Sequence, residues 1–303
     1  MNPNIPVTQV RESHLVEQHA NLNGVDLEYE LTGSGEPVVL IHGGLLADEN
    51  TPLAREPSLV NHHTVLNYHR RGFAGSTSSA NHPPTITDHA GDCLALMRHV
   101  GFDSAHIVGH SLGGVIALQL ALDAGDSVRT LALLEPALMG AIAKAEATDH
   151  PDAVRSQKAF MASVAEVMEV HHSGDTRGAL LMFLRSRAGE AFSHVLEFLT
   201  ASGEFEQAVA DADTFLSAEM PAAFRWSFTP TDAARISQPV LSVLGSHSPE
   251  RPQKVHWVLN QWVPQTELLV LEKAEHALPL MDPPEIAAHL ASFFAKHAVA
   301  QAA

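Results

Sequence analysis

The chain is poor in several things that would point to a particular kind of protein. It has one cysteine, Cys93, among 303 residues, which excludes an intrachain disulfide. That cysteine lies in an apolar helical stretch, Ala90 to Val100, where a thiol packs as a small buried hydrophobe. Basic residues are scarce: 18 Lys and Arg stand against 35 Asp and Glu, a formal net charge of −17. A surface of that sign repels nucleic acid and anionic membranes, so neither is expected as a partner. No run reaches the ~18 consecutive apolar residues that a membrane span needs. Met1 to Glu12 lacks the basic start and apolar run of a signal peptide, so a cytoplasmic location is expected. His-Glu-x-x-His and Cys-x-x-Cys spacings are missing too. The 20 histidines, including the pairs His62-His63 and His171-His172, therefore do not read as a metal site. Neither a metal nor an organic cofactor is expected. What remains, 45% hydrophobic and 17% charged residues, is the makeup of a globular chain that can bury one large core or a core with an insertion.

The most informative segment that is present is Gly109-His110-Ser111-Leu112-Gly113. It follows the apolar run Ala105-His106-Ile107-Val108 and opens a second one, Val115 to Leu122. That pattern predicts a strand, a tight turn with a serine at its apex, and a helix. Glycines two residues either side let strand and helix approach closely enough to make the turn, which holds the serine hydroxyl exposed above the sheet. The amides that follow sit at a helix N-terminus, where developing negative charge is stabilised.

The rest of the chain alternates. His14 to Asn21 and Val25 to Leu31 are strand candidates joined by Asn23-Gly24, a strong hairpin signal. Pro37 to Ile41 is a continuous apolar run, as in a strand buried on both faces. His63 to Tyr68 is the next strand, Thr87 to Val100 a helix with Leu94, Met97 and Val100 on one face, and Val128 to Leu134 a further strand closing at Glu135-Pro136. The alternation resumes with strand Pro239 to Leu244, helix Arg251 to Val263, strand Glu267 to Leu271 and helix Pro284 to Ala298. Such an order implies right-handed crossovers and a mostly parallel sheet covered on both faces. Between Ala137 and Gln238 the pattern is helical, over Pro151 to Val170, Ala179 to Leu199 and Glu204 to Leu216. The expected organisation is a core of residues 1–136 and 238–303 with a helical cap, or lid, of residues 137–237.

Five blocks together resemble the α/β-hydrolase superfamily: Val39-Leu40-Ile41-His42-Gly43-Gly44, Tyr68 to Ser76, Gly109 to Gly114, Pro239-Val240-Leu241, and Ala274-Glu275-His276-Ala277-Leu278-Pro279. The resemblance runs over nearly the whole chain and implies an eight-stranded, mostly parallel sheet flanked by helices. The second block departs from the usual form, with His69 where an aspartate is common and Phe73 where a histidine is common. That puts the hydrogen bonding of this loop in question, not the chemistry.

Serine is a weak nucleophile at neutral pH and needs a base oriented by a carboxylate. By the resemblance Ser111 is the nucleophile and His276 the base. The superfamily usually places its acid after the strand Pro239 to Leu244, but that loop reads Gly245-Ser246-His247-Ser248-Pro249, with no carboxylate before Glu250. Some members carry the acid one strand earlier, which here is Glu135. A glutamate ending the run Leu131 to Leu134 is costly to bury unless paired, so Glu135 is the expected third member and Glu250 the alternative. The oxyanion hole is expected from the backbone amides of Gly44 and Leu112, with His42 structural. The implied activity is hydrolysis of a carboxylic ester or lactone through an acyl-enzyme, on a hydrophobic small molecule that enters under aromatic and methionine side chains of the lid, Phe160, Phe183, Phe215 and Trp226 among them. A carbon–carbon bond hydrolase or cofactor-free haloperoxidase would use the same residues, and a ligand-sensing receptor on this fold is a third reading. A serine at the turn speaks against the dehalogenase and epoxide hydrolase activities that the family runs with an aspartate. Monomer and homodimer are both compatible with the sequence.

Overall fold

The structure, a computed structural model, describes residues 17–79, 82–139, 151–248 and 250–298, without the side chains of 151–157 and 250. Eight strands form one sheet: β1 (Gln18–Leu22), β2 (Val25–Gly33), β3 (Glu36–Ile41), β4 (His63–Tyr68), β5 (Ala105–His110), β6 (Val128–Leu134), β7 (Val240–Gly245) and β8 (Thr266–Leu271). Their order is β1-β2-β4-β3-β5-β6-β7-β8, antiparallel over the first three and parallel from there on. Asn23 and Gly24 both take positive φ, 51° and 78°, as a tight hairpin turn requires. The first strand begins at Gln18 rather than at His14, which lies outside the described residues.

The longer helices are α1 (Ile86–His99), α2 (Leu112–Asp123), α3 (Pro151–His172), α4 (Thr176–Ala188), α5 (Phe192–Ser202), α6 (Glu204–Ala210), α7 (Met220–Arg225), α8 (Glu250–Trp262) and α9 (Pro283–Lys296). Central strands are buried along their length because helices cover both faces, and alternate side chains feed opposite layers. Val39, Ile41, Ile107, Leu131 and Leu133 join the layer of α1, α2 and α8, through Cys93, Leu96, Ile116 and Leu259. Val38, Leu40, Val108, Ala132 and Leu134 join the opposite layer with Ile286, Leu290 and Phe294 of α9. Edge strand β8 is largely exposed on its outer positions. None of the described helices is long and apolar enough to cross a membrane.

Helices α3 to α7 are inserted between β6 and β7, over the C-terminal ends of the parallel strands. Their cluster, with Val164, Leu180, Leu184, Leu199 and Phe215, also takes in Leu45, Leu46 and Phe73 from loops after β3 and β4. The helical run expected over Ala179 to Leu199 is two helices. Gly189, at φ 48°, breaks it, and the Glu275 carboxylate accepts from the freed amides of Glu190 (3.0 Å) and Ala191 (3.3 Å). Likewise the run from Glu204 stops at Ala210, and a wider turn over Thr214–Glu219 carries Phe215 and Leu216 inward.

Candidate active site

Ser111 stands at the turn between β5 and α2 with φ 50° and ψ −112°, a conformation that costs a non-glycine residue about 1–3 kcal/mol. Close approach makes the turn possible: a Cβ on Gly113 would lie 2.1 Å from the Ile41 carbonyl oxygen, and one on Gly109 would lie 2.4 Å from that of Gly113. The neighbouring strand holds the strain in place. The Ser111 amide donates to the Leu134 carbonyl (2.9 Å), and the Ala137 amide donates to the Ser111 carbonyl (2.9 Å). These two bonds bracket Glu135, which is itself at positive φ, 45°. Two strained turns at adjacent strand ends therefore brace each other.

Glu135 is buried. Its Oε1 accepts from the Gly245 amide (2.8 Å) at the end of β7, and its Oε2 accepts from His276 Nδ1 (2.7 Å). Burial pushes the carboxyl up, but the hydrogen bond and charge of His276 and the Gly245 amide outweigh it and hold the pKa below the ordinary value. With its Nδ1 proton on Glu135, His276 turns Nε2 toward Ser111 Oγ at 3.1 Å. Burial, followed by the charges of His110 and Arg187, pushes the His276 pKa below its ordinary value against the pull of Glu135. The imidazole is thus neutral at neutral pH and free to accept the serine proton.

The structure therefore brings Ser111, Glu135 and His276 into one hydrogen-bonded chain. The loop after β7 offers Glu135 a backbone amide instead of a carboxylate. Glu250 begins α8, and its side chain lies outside the described residues. Leu112 is the first residue of α2, so its amide has no acceptor within the helix. Gly44 faces the same cavity as Ser111 and Leu112, and a Cβ there would meet the Phe215 ring at 2.1 Å. His42 is fully buried, accepting from the Arg70 amide (3.0 Å) at Nε2 and donating through Nδ1 to the Gly43 carbonyl (2.8 Å).

A second carboxylate–imidazole pair, which sequence reasoning missed, lies beside the first. His110 Nδ1 donates to Glu49 Oε1 (2.7 Å) and Nε2 donates to the carbonyl of His276 (2.8 Å). Glu49 Oε1 also accepts from the Gly43 amide at 2.5 Å, so this pair ties the Gly43-Gly44 turn to the His276 loop. Burial lowers the His110 pKa, but Glu49, through its charge and hydrogen bond, the accepting carbonyl of His276 and the charge of Glu135 raise it overall. Arg70 reinforces the same turn. Its guanidinium reaches the Gly43 carbonyl (2.7 Å) and pairs with Glu219 of the insertion, so an ion pair links the two layers. The divergent loop after β4 is satisfied in its own way: His69 sits between Glu28 (2.5 Å) and Asp48 (3.0 Å), and Phe73 packs under Arg70 and against His42.

A cavity of about 720 Å³ opens at Ser111 between the sheet and the insertion, lined by Gly44, Leu46, Phe215, Val195 and Leu280 among others. A second, of about 510 Å³, adjoins it on the Glu135 side, with Phe160, Arg187 and Arg251 in its wall. Of the four lid side chains named above, Phe160, Phe183 and Phe215 line these cavities, whereas Trp226 does not: it packs against the main core and its Nε1 donates to Gln119 (2.7 Å). The signal for Glu49 was weak, a carboxylate six residues past Gly43 that stands beside Asp48 in the polar run Asp48-Glu49-Asn50. Arg187 carried no such signal, since its helix is otherwise an ordinary amphipathic one.

A family model described as alpha/beta hydrolase fold matches residues 36–283. The dihydrolipoyllysine-residue acetyltransferase component of the acetoin cleaving system of Cupriavidus necator is 33% identical over 123 residues, which are 41% of this chain and 33% of that protein. A fluoroacetate dehalogenase of Burkholderia sp is 35% identical over 121 residues, 38% of this chain and 39% of the dehalogenase. The chain thus matches between about a third and two fifths of the length of these relatives. Among solved structures, an alpha/beta hydrolase from Sphaerobacter thermophilus superposes with a TM-score of 0.70 at 25% identity, over 91% of this chain and 100% of that one.

Proposed function

The chain belongs to the α/β-hydrolase family, and from that premise we propose that it is a serine hydrolase cleaving a carboxylic ester or lactone through an acyl-enzyme on Ser111. The observation that carries this reading is the Glu135–His276–Ser111 hydrogen-bonded chain at the floor of an apolar cavity. Ser111 Oγ attacks the substrate carbonyl as His276 Nε2 takes its proton, and Glu135 balances the imidazolium that forms. The tetrahedral oxyanion accepts from the amides of Gly44 and Leu112. Collapse expels the alcohol, which receives the proton from His276 and leaves the acyl group on Ser111. Water then attacks with His276 as base once more, releasing the acid and free Ser111. In a lactone the alcohol and acid are two ends of one product. The insertion over the strand ends acts as the lid that excludes water and shapes the acyl pocket.

The test is turnover of a series of p-nitrophenyl esters and simple aromatic lactones. The wild type should hydrolyse them with a chain-length preference, and Ser111→Ala should lower kcat on the order of 10⁴-fold or more. Ester turnover that survives in Ser111→Ala would overturn the serine mechanism. No turnover on any ester, with the protein folded, would move the reading to carbon–carbon cleavage or ligand sensing.

A further inference from the structure

Among the described residues the fully buried arginines are paired, and one partly buried arginine is not. Arg70 is held by Glu219, and Arg71 by Asp92 at 2.5 and 2.6 Å. Arg187, on α4 of the insertion, is not. Its Nε is buried with no hydrogen-bond partner among the described residues. Its guanidinium lies 4.8 Å from the Phe160 ring centre and 5.3 Å from that of Phe183. Burial alone shifts its pKa, down to about 10, and no carboxylate opposes the shift. At neutral pH the group is still a cation. In a chain with nearly twice as many acids as bases, a buried cation left without a carboxylate is conspicuous, because an uncompensated buried charge is strongly destabilising.

The position of this charge matters as much as its isolation. Arg187 lines both cavities that meet at Ser111, and it is one of the charges that lower the His276 pKa. Arg251 lies over the same Phe160 ring, 4.1 Å from its centre, in the wall of the smaller cavity. Two guanidinium groups therefore flank one phenyl ring within the space that adjoins the nucleophile. The planar fork of a guanidinium matches a carboxylate, which accepts two parallel N–H bonds.

We propose that Arg187 forms a carboxylate-binding subsite beside Ser111, so that the substrate carries an apolar arm for the larger cavity and a carboxylate arm for the smaller one. This deepens the ester or lactone reading and rests on it for the chemistry, while the binding of a carboxylate does not depend on it.

The experiment separates the two. In a Ser111→Ala background, calorimetry compares 3-phenylpropionate with its neutral analogue 3-phenylpropionamide. The carboxylate should bind about tenfold to a hundredfold more tightly, the range of a charge-assisted hydrogen-bonded pair. Arg187→Met should abolish the preference and Arg187→Lys should keep part of it. Because the variant removes an unpaired buried charge, Arg187→Met should also unfold at the same temperature as its parent or higher, whereas a purely structural arginine would lower it. In parallel, with Ser111 intact, kcat/KM is compared for the mono-p-nitrophenyl ester of adipic acid and for p-nitrophenyl hexanoate; the ratio should fall in Arg187→Met. A missing carboxylate preference, or one that survives in Arg187→Met, overturns the subsite even if both esters are hydrolysed. An Arg187-dependent preference without ester turnover upholds the subsite and overturns the ester or lactone reading.

Discussion

Two carboxylate–imidazole pairs lie side by side in this molecule, and they are tuned in opposite directions. Glu135–His276 and Glu49–His110 both close at 2.7 Å, both carboxylates are buried from solvent, and the two rings are 5.0 Å apart. In the first pair the second ring nitrogen faces a hydroxyl, and neighbouring positive charges from His110 and Arg187 add to burial, so the imidazole is held below its ordinary pKa. In the second pair the other nitrogen faces a carbonyl, which can only accept, and the sum of acceptors lifts His110 above its ordinary pKa. One histidine is therefore poised to take a proton and the other to keep one. The pairing residue does not decide between these states; the group at the far nitrogen and the surrounding charges do. The kept proton also has a structural use, since the His110 pair ties the Gly43-Gly44 turn to the loop of His276.

The comparison breaks most sharply at Glu135. Glu135→Gln should fold but lower kcat on p-nitrophenyl esters on the order of 10³- to 10⁴-fold, because a neutral partner neither orients nor balances the imidazole. Glu250→Gln, measured alongside, should stay within about twofold; the reverse pattern would return the acid to the position after β7. Glu49→Gln should act mainly on stability. It leaves His110 without its counter-charge in a buried site and should cost about 2–4 kcal/mol in denaturant unfolding, with a smaller loss of rate through the loosened Gly43-Gly44 turn.

The smallest effects are in pH. His276 must be neutral to act and its pKa is lowered, so kcat/KM should hold its plateau below pH 6.5 and fall only on further acidification. His110 has a raised pKa, so its contribution to stability is fully present below pH 6.5 and is lost as pH rises through the folded-state value. Thermal unfolding followed from pH 6 upward should show that loss in the wild type and not in Glu49→Gln. An acid limb of kcat/KM that falls above pH 6.5 would assign the raised pKa to His276 instead and reverse the comparison.

Much of this was legible along the chain. The apolar runs Pro37 to Ile41, Ala105 to Val108 and Val128 to Leu134 became buried parallel strands because no polar face interrupts them. The spacing Gly109-x-Ser111-x-Gly113 announced a turn that only small residues can make. The missing carboxylate between Gly245 and Pro249, together with the earlier acid position that the resemblance implies, directed attention to Glu135. Helix breaks in the insertion were not legible, because Gly189 ends α4 with the help of the Glu275 carboxylate from 85 residues away in sequence. Of Leu94, Met97 and Val100, expected on one face of this helix, only Met97 is fully buried and Val100 lies just past the end of α1, while Ala90, Cys93 and Leu96 fill the core.

By itself the sequence determined the alternation of strands and helices and the tight serine turn, which follow from local periodicity and from backbone conformations that few residue types adopt. Ser111, His276 and Glu135 were singled out as candidates by the resemblance to the α/β-hydrolases, not by periodicity. Only the tertiary structure decided which histidine is held below its ordinary pKa and which above it, and that Arg187, beside the candidate nucleophile, has no carboxylate partner among the described residues. Those properties are sums of charges and burial contributed by β6, β7, the loop after β3 and the inserted helices, and no single segment of the chain carries such a sum.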